Sequence, residues 1–364
     1  MNSRPTTRRE FLKRTALGAA GATTAWRVAS LGGTARADTY TSRVALTKGD
    51  DRADNAFRTL QVFKKEIAAA IGDRRVILKP NLVVHNVALA CTHVDWLEGI
   101  LEFLKSIGKT DVVIAESSAT GATMTGFDNM GYLRFASKYA IKLMDLNQEG
   151  FAKAQVWYRA SDSTPTTTLR ISRMYLDPRN FIISATRMKT HNFSVVTLSL
   201  KNVAMSVPIV DSGKYWGQPG YKDDKWYGMH GDATAQVLMD NIYRLAKVYG
   251  IHPHLAVLDG YQGMQGDGPV SGYAVDPPQK LGIVSLDWVA ADRVCVSLMA
   301  HDGYLLGDKG PYPACLNYCA QAGMGEWDIN KIEVVGESIA GNVYNYTPHS
   351  TISSQLGLRT TPRE

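Results

Sequence analysis

The chain has 364 residues, 45% of them hydrophobic and 20% charged, a balance that supports a large core and excludes disorder as its main state. Its 40 Lys and Arg exceed its 34 Asp and Glu, but residues 1–37 hold Arg4, Arg8, Arg9, Lys13, Arg14, Arg27 and Arg36 against Glu10 alone, which accounts for the whole net charge of +6. The remainder is electrically balanced, which argues against a nucleic-acid-binding body.

The leader is the sharpest local signal. Thr7-Arg8-Arg9-Glu10-Phe11-Leu12-Lys13 resembles the twin-arginine export motif, a weakly apolar stretch follows over 16–25, and Ala35-Arg36-Ala37 offers small residues at a cleavage position. We therefore expect residues 1–37 to be a signal peptide cleaved near Ala37. The twin-arginine export machinery is then a partner, and the location is periplasmic or extracellular. No run of about 18 apolar residues occurs, so no membrane span is expected.

From residue 38 to 344 short apolar runs alternate with helix-period segments, the pattern of βα units around a largely parallel sheet with helices on both faces. In chain order the runs predict strands at 43–47, 75–79, 111–115, 141–146, 181–185, 255–258, 281–285 and 332–335. The periodic segments predict helices at 53–71, 93–107, 131–139, 233–249, 288–299 and 312–323. Gly72, Gly108 and Gly250 stand where a left-handed cap is wanted, and Asp287 reads as an N-cap. Thr-rich alternation at 166–175 and again at 195–201 predicts antiparallel strands, so 155–230 reads as a smaller β-rich insertion that ends in an aromatic loop. That loop, 211–230, carries Tyr215, Trp216, Tyr221, Trp226 and Tyr227, which suits either stacking on a ligand ring or plugging onto the core. Residues 345–364 read as a weakly structured C-terminal tail.

Ligands in open α/β sheets bind beyond the carboxyl ends of the strands. Several apolar runs here are followed by ionisable groups: Lys79 and Asn81 after the 75–79 strand, Glu116 after 111–115, Lys189 and His191 after 181–185, and Asp259 after 255–258. Lysine is not a turn-former, so turn chemistry alone does not explain these positions. Converging ends would gather Lys79, Lys189 and Lys201 with Asn81, Asn202 and His191 into a donor-rich cluster suited to a small anion. A lysine desolvated among other cations can also act as a base or amine nucleophile. Glu116 and Asp259 balance that charge, or join His191 or His230 around a divalent metal, with Asp259 the leading metal candidate. Taken singly, each lysine is as simply read as snorkelling to solvent. The loop after the Asp259 strand carries Gly266 and Gly268, whose amides could approach an anion; it matches neither a P-loop nor a dinucleotide fingerprint. His85, His93, His252, His254, His301 and His349 read more simply as cap, surface or core residues.

Val76 to Asn81, Lys189-Thr190-His191, Ser199-Leu200-Lys201-Asn202, His230, Asp259-Gly260, Gly266-Asp267-Gly268-Pro269, Ser285 to Asp292, Gly323-Met324-Gly325 and Ile332 to Gly336 appear in this order. Together they resemble the family called domain of unknown function 362, over most of residues 43–337. The family name implies no reaction. Many relatives carry a ferredoxin-like cysteine set; Cys91, Cys295, Cys315 and Cys319 do not form one, so no iron-sulfur cluster is expected. Met205 stands where the family has glycine.

Two function classes fit these residues. One is an enzyme doing proton-transfer or hydrolytic chemistry on a small anionic substrate, with Lys189, His191, His230 and Glu116 catalytic and Lys79, Asn81, Lys201, Asn202, Gly266 and Gly268 binding. The other is a non-catalytic ligand-binding or redox-accessory protein of the periplasm.

Overall fold

The structure, a computed structural model, describes residues 40–211, 222–304, 314–355 and 357–363. By contact the chain divides into residues 1–38 and 39–364, and everything described here belongs to the second unit. The leader, Tyr215, Trp216 and Tyr221 lie outside the described residues.

Strands β1 (Ser42–Lys48), β2 (Arg75–Pro80), β3 (Val112–Glu116), β4 (Lys142–Asp145), β5 (Phe151–Val156), β6 (Thr167–Ser172), β7 (Asn180–His191), β8 (Val195–Thr197), β9 (Leu255–Gln265), β10 (Tyr273–Ala274), β11 (Leu281–Ser285) and β12 (Ile332–Gly336) supply two sheets. The large one runs β12-β1-β11-β9-β7-β2-β3-β4, with β8 folded back on β7 and β10 on β9; the small one is the antiparallel pair β5-β6. Strands β9, β7, β2, β3 and β4 are mutually parallel, while β11 is antiparallel to both β1 and β9. The fold is therefore α/β with a mostly parallel mixed sheet.

Helices α1 (Arg52–Gln61), α2 (Lys64–Ile71), α3 (Val94–Ser106), α4 (Thr123–Asn129), α5 (Arg134–Tyr139), α6 (Ser199–Ser206), α7 (Ala235–Tyr249), α8 (Trp288–Leu298) and α9 (Ala314–Gln321) cover both faces. Alternation along the strands assigns the layers: Val76 and Leu78 of β2 pack with Leu60, Trp96 and Ile100, whereas Ile77 packs with Leu238, Ile242 and Val294 on the opposite face. Because both faces are covered, the central strands read as continuous apolar runs. Local chemistry sets several helix ends: Asp51 and Asp287 accept from Asp54 N and Ala290 N, and Gly250 closes α7 at φ 66°.

Four expectations are corrected. The helix expected over 53–71 is two helices, because Phe63 leaves the helical region (φ −115°, ψ 32°) and turns its ring into the core beneath Arg43. Strand character over 195–201 stops at Thr197, and Ser199 to Ser206 form α6, whose first two amides donate to the buried Asp292 carboxylate. The insertion 155–230 shrinks accordingly, since β7 is a central strand of the main sheet and only β5-β6 stands apart. Finally, the described residues beyond 344 lack long regular structure yet are docked: Tyr346 is buried with its hydroxyl on Gln279, Gln355 Oε1 accepts from Val195 N, and Arg359 pairs with Asp240.

Candidate functional site

The carboxyl ends of parallel β2, β3 and β7 open on one cavity of about 500 Å³. Lys79, Asn81, Glu116, His191, Lys201, Asn202 and His230 all line it, so residues spread over 152 positions of sequence meet there. Apolar walls come from Leu82, Val83, Val84, Trp226, Tyr227, Pro269 and Val270.

Lys79 leaves the end of β2 fully buried and donates to Glu116 Oε2 at 2.5 Å, to Asn202 Oδ1 at 2.7 Å and to Pro80 O at 2.5 Å. Burial pushes its pKa down, and the Glu116 charge opposes that shift. Glu116 is equally committed: Oε2 also accepts from Leu82 N at 2.9 Å, and Oε1 from Ser117 N at 2.8 Å. Asn202 ties the cluster to the sheet, accepting from Asn81 Nδ2 at 3.0 Å and donating to Ser184 Oγ at 3.0 Å. Lys189, expected at the site, stands behind its wall and donates to Asn81 Oδ1 and Ala90 O. It supports Asn81 rather than facing the cavity.

Two histidines show opposite faces to the cavity. His191 Nδ1 accepts from Phe193 N at 3.0 Å, so the neutral ring carries its proton on Nε2. His230 Nδ1 lies 3.1 Å from both Lys225 O and Trp226 O; carbonyls only accept, so here Nδ1 holds the proton and Nε2 keeps a bare lone pair. Burial holds both rings neutral, pushing His191 well below the usual range and His230 to about 4, with the Lys201 charge adding to each effect. Trp226 covers the His230 ring at 4.5 Å between centroids, and Phe193 meets it edge-on at 5.1 Å.

Lys225 was not anticipated. It sits in the π-helical turn Asp224–Gly228, is 3% exposed, and donates to Ser117 Oγ, Met205 O and Pro208 O at 2.5, 2.7 and 2.6 Å. Burial pushes it down to about 7, although three acceptors favour the proton. His85, which the sequence assigns to a cap, the surface or the core, also lines the cavity and pairs with Thr120 at 3.1 Å.

Two sets of expected residues lie elsewhere. Gly266 N donates to Thr347 O and Gly268 N to Gly266 O, both at 2.8 Å, so these amides are already paired, and Pro269 and Val270 line the cavity instead. Asp259 lies on the far side of β9, where its carboxylate meets Arg52 at 3.6 Å and Tyr261 N at 3.0 Å and feels the buried Arg187. Guanidinium groups already surround it, which is not the donor set of a metal ligand. Among the described residues no group of three or more His, Cys, Asp or Glu could hold a metal ion, and all four cysteines are free and buried.

A buried cationic cluster at the strand ends of a mixed α/β sheet thus defines the class of site. The chain belongs to the family described as domain of unknown function (DUF362), whose model matches residues 76–297. It is 26% identical over 235 residues to the "thylakoid-associated protein" of a Synechocystis strain, a match that covers 64% of each chain, so the chain spans under two thirds of that relative. No solved structure matches it. Among the described residues no helix is long and apolar enough to cross a membrane.

Proposed function

We propose that the chain is an exported enzyme that moves protons on, or hydrolyses, a small anionic substrate held in the cavity. The observation that carries this reading is the pair His191 and His230, neutral and in opposite tautomers, which line the cavity together with Lys201. His230 Nε2 accepts a proton and His191 Nε2 donates one, the two halves of acid–base catalysis. Lys79 is held as an ion pair by Glu116, which positions it rather than touching substrate, and Lys225 and Lys201 supply the remaining positive charge that the cavity offers when protonated. The apolar wall beside the cations suits a substrate with one anionic end and one carbon-rich end.

The test is proton NMR in D₂O on a panel of small carboxylates and phosphate esters. The reading expects deuterium incorporation or consumption of one class by the wild type, lost in His230→Gln and His191→Gln with the fold intact. Equal activity in both variants would reject it. Export rests on the twin-arginine leader; recovery of a mature chain starting near Asp38 from outside the cytoplasmic membrane checks it.

A further inference from the structure

The lysines around the cavity separate by their partners. An ammonium has three protons. Lys79 spends all three on Pro80, Glu116 and Asn202, and Lys225 spends all three on Ser117, Met205 and Pro208. Lys189 is turned away behind Asn81. Lys201, on the first turn of α6, lines the cavity while only 9% exposed, and it has no hydrogen-bond or ion-pair partner among the described residues. The Asp292 carboxylate at the start of that helix is occupied by Ser199 N and Leu200 N.

We infer that Lys201 is a nucleophilic amine that condenses with the carbonyl carbon of a small 2-oxo carboxylate to form an imine. The inference rests on the reading of the cavity as an anion-binding, proton-transferring site and names the substrate class within it. The Nζ lone pair adds to the carbonyl carbon while the oxygen takes a proton, giving a carbinolamine. The nitrogen then gives up its protons as the hydroxyl leaves, so amine plus carbonyl becomes imine plus water, with no oxidant or reductant. His191 Nε2–H stands to protonate the oxygen, and His230 Nε2 to accept from the nitrogen, since both rings line the cavity and both feel the Lys201 charge. The carboxylate of the substrate lies in the same cavity as Lys225, whose charge Glu116 does not pair directly.

Attack needs the free amine. Burial, with the Lys79 ammonium behind it, pushes Lys201 down to about 7. The other groups whose charge reaches it are Lys189 and His191 from β7, His230, and Cys315 from α9, whose thiol burial keeps neutral at about 12. At pH 7 the free-amine fraction then exceeds that of an ordinary lysine by roughly a thousandfold.

The experiment incubates the full chain with glyoxylate or pyruvate and sodium cyanoborohydride at pH 7, then maps adducts by peptide mass spectrometry. The expected result is reduced adduct on Lys201 forming at least tenfold faster than on exposed Lys153 and Lys331. No adduct at Lys201, or a rate no faster than theirs, overturns the inference. Thermal shift with oxalate on the Lys201→Arg variant keeps the two claims apart. Stabilisation by oxalate without a Lys201 adduct in the wild type rejects the imine and leaves the anion site standing; loss of both rejects both.

Discussion

Lys79 Nζ and Glu116 Oε2 lie 2.5 Å apart at the ends of neighbouring parallel strands, each less than 3% exposed. A pair buried this deeply gains little from being present, yet removing one partner leaves the other charge uncompensated. Glu116→Gln is therefore expected to cost about 3 kcal/mol of stability, read from denaturant unfolding. An unchanged midpoint would mean that Lys79 is not carried as a cation.

Lys201 and Lys225 are both buried lysines pushed down to about 7, and they differ in what their replacement leaves behind. The folded-state pKa of Lys201 is depressed from 10.5 to about 7, so between those values the unfolded chain binds more protons and stability rises with pH. Lys201→Met removes that penalty and should stabilise the protein by roughly 2 to 4 kcal/mol at pH 7, the gain shrinking as pH approaches 10. Lys225→Met relieves a similar burial penalty but strands two carbonyls and a hydroxyl, at a cost of about 1 to 3 kcal/mol, so it should stabilise less than Lys201→Met. Thermal scans of both variants at pH 7 and 9.5 decide the matter; destabilisation by Lys201→Met would show an acceptor on that ammonium.

Asp259 neutralises Arg52 and Arg187 on the far side of β9. Asp259→Asn should lower stability by about 3 kcal/mol while leaving oxalate-induced stabilisation intact. A selective loss of the oxalate effect would return Asp259 to the ligand site.

Gly268 packs against β7 so closely that a Cβ would stand 2.2 Å from Thr190 O. Gly268→Ala must push the loop or the strand aside, at about 2 kcal/mol, and shifts Pro269 and Val270 in the cavity wall. Unfolding curves and ligand-induced shifts report the two effects separately.

The sheet was legible because its strands are buried on both faces and stand out as apolar runs, and the site because polar residues at their ends have no turn-forming role. Asp259 was misplaced for a definite reason: its apolar run ends at Leu258, but β9 continues to Gln265, so Asp259 is in mid-strand rather than at a mouth. Lys225 was invisible because it lies between Asp224 and Trp226 in a polar stretch, and its burial depends on acceptors at Ser117, Met205 and Pro208. Helix α6 was read as strand because Val195 to Thr197 are β-branched and nothing local announces Asp292 as the cap of the following turn. The glycines of the 263–268 loop suggested free amides, whereas backbone pairing with Thr347, on the tail, consumes that of Gly266.

The central claim is that Lys201 is an unpartnered amine beside lysines whose protons are engaged. Lysine-labelled NMR of the full chain across pH, with the Lys201 resonance identified by its loss in Lys201→Met, measures this directly. The account expects that resonance to titrate with a midpoint near 7; a midpoint above 9 would contradict it.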